Sequence, residues 1–280
     1  MYYKQVMGRL RDMGLLALLL LCIIIAPHPG VGAGADYPPF GVIGDTKIGV
    51  TEAVYKRFLE RTGREGIDLI FIVGDVIDHP GTDKEWMRFL ELTGTQRTFH
   101  IAPGNHDINS TKSLKVYEKI IRKTPYYAFA LNDIQFIILC TELPGETSRV
   151  TGKQLEWLKK TLEEPFRQRV VFLHKPLFPT TFGRYYDLDK YPEDRDTLHD
   201  LFVKSNVKLV FSGHEHLYNR SERDGITYVI TGGGGSRLLA FDEERGGFFH
   251  YIVAKRGEEG YIFNVYDINE TLRDTFYLKQ

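Results

Sequence analysis

Runs of hydrophobic residues alternate along the chain with segments in which hydrophobic residues recur every three or four positions. The runs are nearly uninterrupted, as in strands that other elements cover on both faces. The segments between them have helical spacing, with Val54, Phe58 and Leu59 as one example. The predicted strands are residues 67–73, 134–140, 170–173, 207–211 and 226–230, and the predicted helices are residues 51–61 and 153–162. This alternation favours one α/β domain.

The ends of two predicted elements carry more specific signals. Thr151 and Gln154 have the spacing of a capping box, in which two side chains bond the free backbone groups at the start of a helix. Residues 248–253 and 261–266 have strand character and flank Gly-Glu-Glu-Gly, which predicts a hairpin. Residues 36–280 contain no linker, repeat or low-complexity stretch and are predicted to form a single domain.

The first 35 residues have the pattern of a secretory signal. A basic start is followed by an uncharged apolar run over residues 14–26, and Ala-Gly-Ala before Asp36 is typical of a signal peptidase site. The run is shorter than the ~20 residues that span a bilayer. A secreted or periplasmic protein is therefore expected. The alternative is an uncleaved anchor formed by residues 14–35, in which case the protein contacts the membrane.

Composition and charge exclude several classes of protein. With 42% hydrophobic and 26% charged residues, the chain differs from disordered, collagen-like and coiled-coil sequences. Its 36 Lys and Arg residues nearly balance 37 Asp and Glu residues, so no broad basic surface for nucleic acid is expected. The two cysteines, Cys22 and Cys140, cannot form a disulfide framework, and Cys140 is expected to be a buried thiol.

Polar residues follow five hydrophobic runs at the point where each run ends. Gly-Asp occurs twice, Gly-Asn-His-Asp and Gly-His-Glu-His occur once each, and a single histidine follows residues 170–173. In open α/β sheets, ligands bind beyond the carboxyl ends of the strands, so these side chains are expected to meet at one edge. The candidate ligands are Asp45, Asp75, Asn105, His174, His214 and His216.

Imidazole combined with carboxylate suits first-row metals such as Mn, Fe, Co or Zn and is a poor set for Ca. Six donors are more than one catalytic ion usually takes, so two ions that share a carboxylate fit better. Such a pair can activate a water and hold a phosphoryl group for in-line displacement. Taken singly, a Gly-Asp is usually a solvated turn, Gly-Asn-His-Asp is more often a loop than a site, and His174 alone could be a core histidine. The ordered set of five, each after a hydrophobic run, favours a metal site.

These motifs, spread over residues 45–216, resemble those of the calcineurin-like metallophosphoesterases, which include the purple acid phosphatases. Gly-His-Glu-His-Leu-Tyr-Asn-Arg-Ser at 213–221 is most similar to the extracytoplasmic acid phosphatase branch. The resemblance implies two packed mixed β-sheets flanked by α-helices. It also implies a metal-dependent phosphoesterase in which a metal-bound hydroxide attacks phosphorus in line.

The resemblance further implies a role for each ligand. Asp75 would bridge two metal ions, with Mn, Fe and Zn as the candidates. Asp45 and His216 would join it at the first metal position, while Asn105, His174 and His214 would join it at the second. His106 would lie beside the ions and stabilise the phosphoryl oxygens or protonate the leaving group, with Asp107 orienting its ring. Asn105 and His106 would then contact the substrate.

Lys47 departs from the family's pattern, because many relatives have histidine two residues after the first aspartate. Lysine has three donors and no acceptor. Asp78 stands where the purple branch has a tyrosine, so no iron–tyrosinate colour is expected. Three interpretations of Lys47 are open. Its side chain points to solvent, or its ammonium binds substrate phosphate as a point charge, or the first metal position is weak or empty of metal.

The long polar and aromatic stretch after His174, residues 175–192, is expected to border the site and select the substrate. Arg184 is the candidate phosphate contact within it, and a surface loop that packs its aromatic residues inward is the alternative. The sequence thus predicts an exported phosphoesterase acting on small phosphate monoesters or diesters. A phosphodiesterase or nuclease is one alternative, although nucleic acid is not an expected partner. A catalytically weakened module that binds metal or a phospho-ligand is the other.

Overall fold

The computed structural model describes residues 37–180, 186–239, 242–258 and 260–279. The predicted leader and Arg184 lie outside these ranges. The strands are β1 Phe40–Ile43, β2 Leu69–Ile72, β3 Thr98–Ile101, β4 Tyr127–Leu131, β5 Ile134–Ile138, β6 Gln168–Phe172, β7 Val207–Ser212, β8 Tyr218–Arg223, β9 Ile226–Thr231, β10 His250–Gly257, β11 Gly260–Asp267 and β12 Leu272–Lys279. The helices are α1 Ala53–Arg64, α2 Asp83–Thr93, α3 Thr111–Ile121, α4 Gly152–Leu162 and α5 Pro192–Lys204.

The strands form two six-stranded mixed sheets, which confirms the predicted fold class. The first sheet has the order β12-β11-β10-β1-β2-β3, in which β1, β2 and β3 are parallel. The second has the order β4-β5-β6-β7-β9-β8, in which β5, β6, β7 and β9 are parallel. The predicted hairpin is present as the antiparallel pair β10 and β11, with Gly257 opposite Gly260.

Alternation of side chains along each strand divides the core into layers. In β2, Ile70 and Ile72 pack against α1, α2 and α3 in one hydrophobic cluster. In β6, Val171 belongs to a second cluster with α4 and α5. Phe71 and Phe172 lie between them and stack with ring centroids 4.2 Å apart. Because these two rings come from different sheets, the sheets pack face to face through an aromatic layer and carry their helices outside.

The predicted capping box at the start of α4 is wrong. Thr151 is the N-cap residue, but its hydroxyl donates to Glu146 at 2.9 Å instead of bonding the helix backbone. The Gln154 amide is fully buried and makes two 2.8 Å hydrogen bonds with the backbone N–H and C=O of Cys140, two residues after β5. A capping box does form at α3, between Ser110 and Ser113. Because its side chain is buried, Gln154 bonds the backbone of Cys140 rather than the start of its own helix.

Within the described residues, none of the helices combines the length and the apolar character needed to cross a membrane.

Candidate metal centre

The six predicted ligands lie in the loops that follow five parallel strands. Asp45, Asp75 and Asn105 follow β1, β2 and β3 of the first sheet. His174 follows β6, and the two remaining histidines follow β7 of the second sheet. The carboxyl ends of both sheets thus meet at one edge, as expected for α/β sheets.

Backbone hydrogen bonds join these loops to one another. The Asp45 N–H donates to the carbonyl of Gly74 at 2.9 Å, within the first sheet. The Gly213 N–H donates to the carbonyl of His174 at 2.9 Å, within the second. The His214 N–H then donates to Asp45 Oδ2 at 3.0 Å and connects the two sheets. The ligands are therefore held by the backbone before any ion binds.

Four residues at this edge adopt left-handed backbone conformations, which are uncommon outside glycine. Asp45, Lys47, Asp75 and His214 have φ values of 60°, 50°, 50° and 66°. Such conformations cost of order 1–3 kcal/mol each and concentrate at functional sites. Three of the four are predicted metal ligands, so the local backbone is strained where it turns their side chains toward a common centre.

The second metal position is formed by donors that surround one imidazole nitrogen. His174 Nε2 lies 3.2 Å from Asn105 Oδ1, 3.2 Å from His214 Nδ1 and 3.3 Å from Asp75 Oδ1. Donors that share an ion at ~2.0–2.2 Å are themselves about 3–3.5 Å apart. The spacing and the mixed nitrogen and oxygen chemistry of this set therefore fit one first-row metal ion.

In two of the three imidazoles, the nitrogen opposite the metal position donates to a backbone carbonyl. His174 Nδ1 donates to the carbonyl of Val73 at 2.8 Å, and His216 Nδ1 donates to the carbonyl of Arg237 at 2.8 Å. The third ring, His214, makes no such bond to Asp187, because its Nε2 lies 3.8 Å from Asp187 Oδ1. Bonds of this kind fix the tautomer and leave the other nitrogen free to bind metal.

The first metal position brings together Asp45, Asp75 and His216, with one ligand atom from each lying within 4.8 Å of the others. Asp45 Oδ1 is buried and has no hydrogen-bond partner among the described residues. His216 Nε2 approaches it at 3.4 Å. An orphaned buried carboxylate oxygen is costly, so this position also has the character of a cation site.

Lys47 occupies the same region, and the interpretation that it points to solvent is wrong. Only 6% of the residue is exposed, and its Nζ lies 2.9 Å from Asp75 Oδ2. The backbone N–H of Lys47 also donates to the carbonyl of Asp75, at 3.0 Å. A buried carboxylate requires a partner of opposite charge, and Asp75 draws the lysine inward.

The charge states of two ligands suit metal binding, which requires ionised carboxylates and neutral imidazoles. Burial opposes ionisation of Asp75, but the charges of His174 and Lys47 outweigh it and hold the pKa of this carboxyl well below its usual range. Burial likewise opposes the charge of His174, but Asp75 outweighs it and raises the pKa of this ring, so an ion that binds there displaces a proton from His174. Burial, followed by the charge of His174, lowers the pKa of His214 to about 2.

His106 lies beside the predicted bridging ligand, but Asp107 does not orient its ring. The His106 N–H donates to Asp75 Oδ1 at 2.8 Å, and its Nδ1 donates to the carbonyl of Asp78 at 2.6 Å. Asp107 is fully buried and accepts the backbone N–H groups of Val76 and Gly104, both at 2.9 Å. Burial, together with the charge of Asp75, raises the pKa of Asp107 to about 7.

Asp107 therefore braces the loops after β2 and β3, while Asp78 holds the histidine. The contact between Asp78 and His106 was not predicted from the sequence. The only available signal was the position of Asp78 three residues after Asp75. Asp187, which faces His214, was also missed because it lies thirteen residues beyond His174 in a loop without a motif.

A cavity of 370 Å³ opens beside the second metal position. Asn105 and His214 line it together with Lys175 and Tyr186 from the stretch that follows His174. The stretch therefore borders the site, as predicted. Arg184 lies outside the described residues, so its role as a phosphate contact stays a prediction.

The family model described as calcineurin-like phosphoesterase matches residues 38–218, which is more than half of the chain and includes all six candidate ligands. The chain belongs to the calcineurin-like phosphoesterase family. The family resemblance predicted from the sequence motifs is thereby confirmed. Membership in this family and the purple acid phosphatase relatives support a dependence on divalent metal ions.

Purple acid phosphatase 21 of Arabidopsis thaliana is 26% identical over 227 residues, covering 71% of this chain and 50% of that protein. Serine/threonine-protein phosphatase CPPED1 of Homo sapiens is 27% identical over 239 residues, covering 73% and 74%. The structure of purple acid phosphatase PPD1 from yellow lupin seeds has the same fold, with a TM-score of 0.71 at 19% identity, and the match covers 86% of this chain and 55% of that one. The chain spans about half the length of the purple acid phosphatases that it matches.

Proposed function

We propose that this protein is a metal-dependent phosphoesterase that hydrolyses small phosphate monoesters. The observation that supports this function best is the convergence of Asp75, Asn105 and His214 on Nε2 of His174, at 3.2–3.3 Å. His106 lies beside the same carboxylate. Family membership supports the reaction class.

The chain's own residues would hold the metal and handle the leaving group. Asp75, Asn105, His174 and His214 would hold the ion at the second position. A bound ion would lower the pKa of a coordinated water and polarise a phosphoryl oxygen.

His106 donates through Nδ1 to the carbonyl of Asp78, so the proton that can pass to the departing oxygen is the one that Nε2 carries in the imidazolium form. The side chain of His106 is 38% exposed, so a substrate can reach it.

The cavity and the charge of the chain favour a small substrate. At 370 Å³, the cavity falls in the lower part of the range of small-molecule sites, and its lining is mixed, with Asn109 and Thr147 as neutral hydrogen-bonding groups and Glu142 as an anion. A net charge of −1 gives no general attraction for polyanions. Both observations favour a phosphorylated metabolite-sized compound over a nucleic acid.

The experiment is a hydrolysis assay on purified protein that has been stripped with a chelator and resupplied with Mn²⁺, Zn²⁺ or Fe²⁺. Chromogenic monoesters and diesters are compared side by side. Faster turnover of the monoester in a metal-dependent manner is expected. Preference for the diester would instead favour a phosphodiesterase, and metal binding without turnover of either ester would favour a binding module.

The variant His106→Ala tests the proposed role of His106 as the general acid. We expect its turnover to fall ~10²–10⁴-fold while its metal content is unchanged. His79→Ala is the matched control, because His79 is an exposed histidine that bonds Glu85 at 2.8 Å. Equal activity of the two variants would remove His106 from the mechanism.

We also propose that residues 1–35 export the protein, since they have the features of a signal sequence. Amino-terminal sequencing of the mature protein from its native host should begin at Asp36. An intact leader on membrane-bound protein would show that the segment is retained as an anchor.

A further inference from the structure

Lys47 is the one cation in direct contact with the carboxylate predicted to bridge two metals, if histidines are set aside and only the described residues are considered. The side chains of Lys47 and Asp75 are 8% and 2% exposed, and they meet at 2.9 Å. Asp78 lies at 3.9 Å from the same ammonium. The ion pair is therefore buried inside the site rather than placed at its rim.

The two oxygens of Asp75 face different partners. Oδ1 lies 3.3 Å from His174 Nε2, on the side of the second metal position. Oδ2 lies against the ammonium of Lys47, on the side of the first. A carboxylate can bridge two ions by presenting one oxygen to each, and the two oxygens of Asp75 are placed for this mode. Here the lysine takes the oxygen that the first ion would need.

The remaining ligands of the first position are one carboxylate and one imidazole. Asp45 is fully buried, with one oxygen orphaned, and His216 lies 3.4 Å from that oxygen. Lysine has no acceptor while it is protonated and repels a dication. The first position thus has ligands for a metal, but its volume already contains a positive charge.

We propose that the ammonium of Lys47 takes the place of the first metal ion, so that the chain binds one ion, at the second position. This proposal depends on the proposed function in one respect, which is the existence of a metal ion at the second position. The substrate phosphate would then meet one metal ion and one ammonium rather than two metal ions.

The test counts Mn²⁺ ions per chain after the full-length protein has been stripped with a chelator and titrated with Mn²⁺. The wild type should bind one ion, with the hyperfine spectrum of an isolated Mn²⁺. Lys47→His, which supplies the ligand common in the family, should bind two and show the spectrum of a coupled pair. Lys56→Met is the control, because Lys56 is a half-exposed lysine paired with Glu52, and it should bind one.

Two coupled Mn²⁺ ions in the wild type would overturn the proposal, and so would a single ion in folded Lys47→His. If Lys47→His does not fold, Lys47→Met removes the charge without adding a ligand. It should then gain a second, weaker Mn²⁺ site, and failure to gain one would count against the proposal. Circular dichroism and thermal unfolding establish that each variant is folded.

The count is made without substrate, so it is independent of catalysis. One ion per chain with no hydrolysis of any ester would support the replacement of the first metal ion by Lys47 and reject the phosphoesterase activity. Two ions in a wild type that hydrolyses an ester would reject the replacement and support the activity.

Discussion

A single added methyl group at Gly104 should disrupt the metal centre. Gly104 follows β3 and precedes the ligand Asn105. A Cβ at this position would lie 2.3 Å from Asp75 Oδ1, 2.6 Å from the backbone nitrogen of Asp75 and 2.8 Å from Cε1 of His174. Because a backbone atom is among these contacts, rotation of the Asp75 side chain cannot relieve them all.

The required displacement follows from ordinary van der Waals distances. Contacts of a real Cβ begin near 3.4 Å, so the carboxylate oxygen must retreat by 3.4 − 2.3 = 1.1 Å. Metal–ligand distances are held within ~0.2 Å. A shift of ~1 Å in a positioned group costs about 10²-fold in rate. The overpacking itself costs about 1–3 kcal/mol of stability. Gly104→Ala should therefore lose tight metal binding and at least 10²-fold in turnover.

Gly63→Ala is the matched control, since it adds the same methyl group within α1. The new Cβ would lie 3.3 Å from Nη2 of Arg97, the end of a flexible side chain. Alanine in a helix is favoured over glycine by about 0.5–1 kcal/mol. Calorimetric titration with Mn²⁺, ester hydrolysis and thermal unfolding are measured for both variants. Wild-type Mn²⁺ affinity in Gly104→Ala would refute the geometry.

Three further predictions concern the scaffold. Burial, followed by the charge of a nearby lysine, lowers the pKa of His100 to about 3. The unfolded chain then binds more protons below pH 6.5, so the free energy of unfolding decreases as the pH falls toward 3. His100→Gln should reduce the loss between pH 7 and pH 5 by about 2 kcal/mol in urea unfolding, and an unchanged loss would contradict the shift. Lys175 lies 3.1 Å from Glu142, with both side chains buried. Lys175→Met should destabilise the fold by about 3–5 kcal/mol, and pairing it with Glu142→Leu should recover part of that; no recovery would argue against an unpaired charge as the cause. Gln154→Ala should cost at least about 2 kcal/mol in the same assay, because it leaves the buried N–H and C=O of Cys140 unpaired, and a cost under 0.5 kcal/mol would show that water replaces the amide.

The central strands were predictable because they are buried on both faces. The run at residues 67–73 contains β2, and the run at residues 207–211 lies within β7. The edge strand β8 lacked this signal. It is mostly exposed and reads Tyr-Asn-Arg-Ser-Glu-Arg, with no hydrophobic alternation. Such a strand is set by pairing with its neighbour, which the local sequence does not encode.

The candidate ligands were predictable for a topological reason. Parallel strands of one sheet present their carboxyl ends at one edge, so motifs that are distant in sequence converge within each sheet. The packing of the two sheets then brings both groups of ligands together. The partners of those ligands were not predictable. Asp107 is adjacent to His106 in sequence, yet it bonds the backbone of the Asp75 loop, and Asp78 takes the ring instead.

The sequence by itself determined the α/β class, the family and the set of ligand-bearing loops, because hydrophobic runs and the polar residues that follow them are local properties. Only the tertiary structure decided which charges meet. The sequence left three interpretations of Lys47 open. The contact between its ammonium and Asp75, at 2.9 Å, excludes the one in which the side chain points to solvent. Contacts between buried charges depend on desolvation and on distances across separate strands. Neither quantity exists until the two sheets have packed.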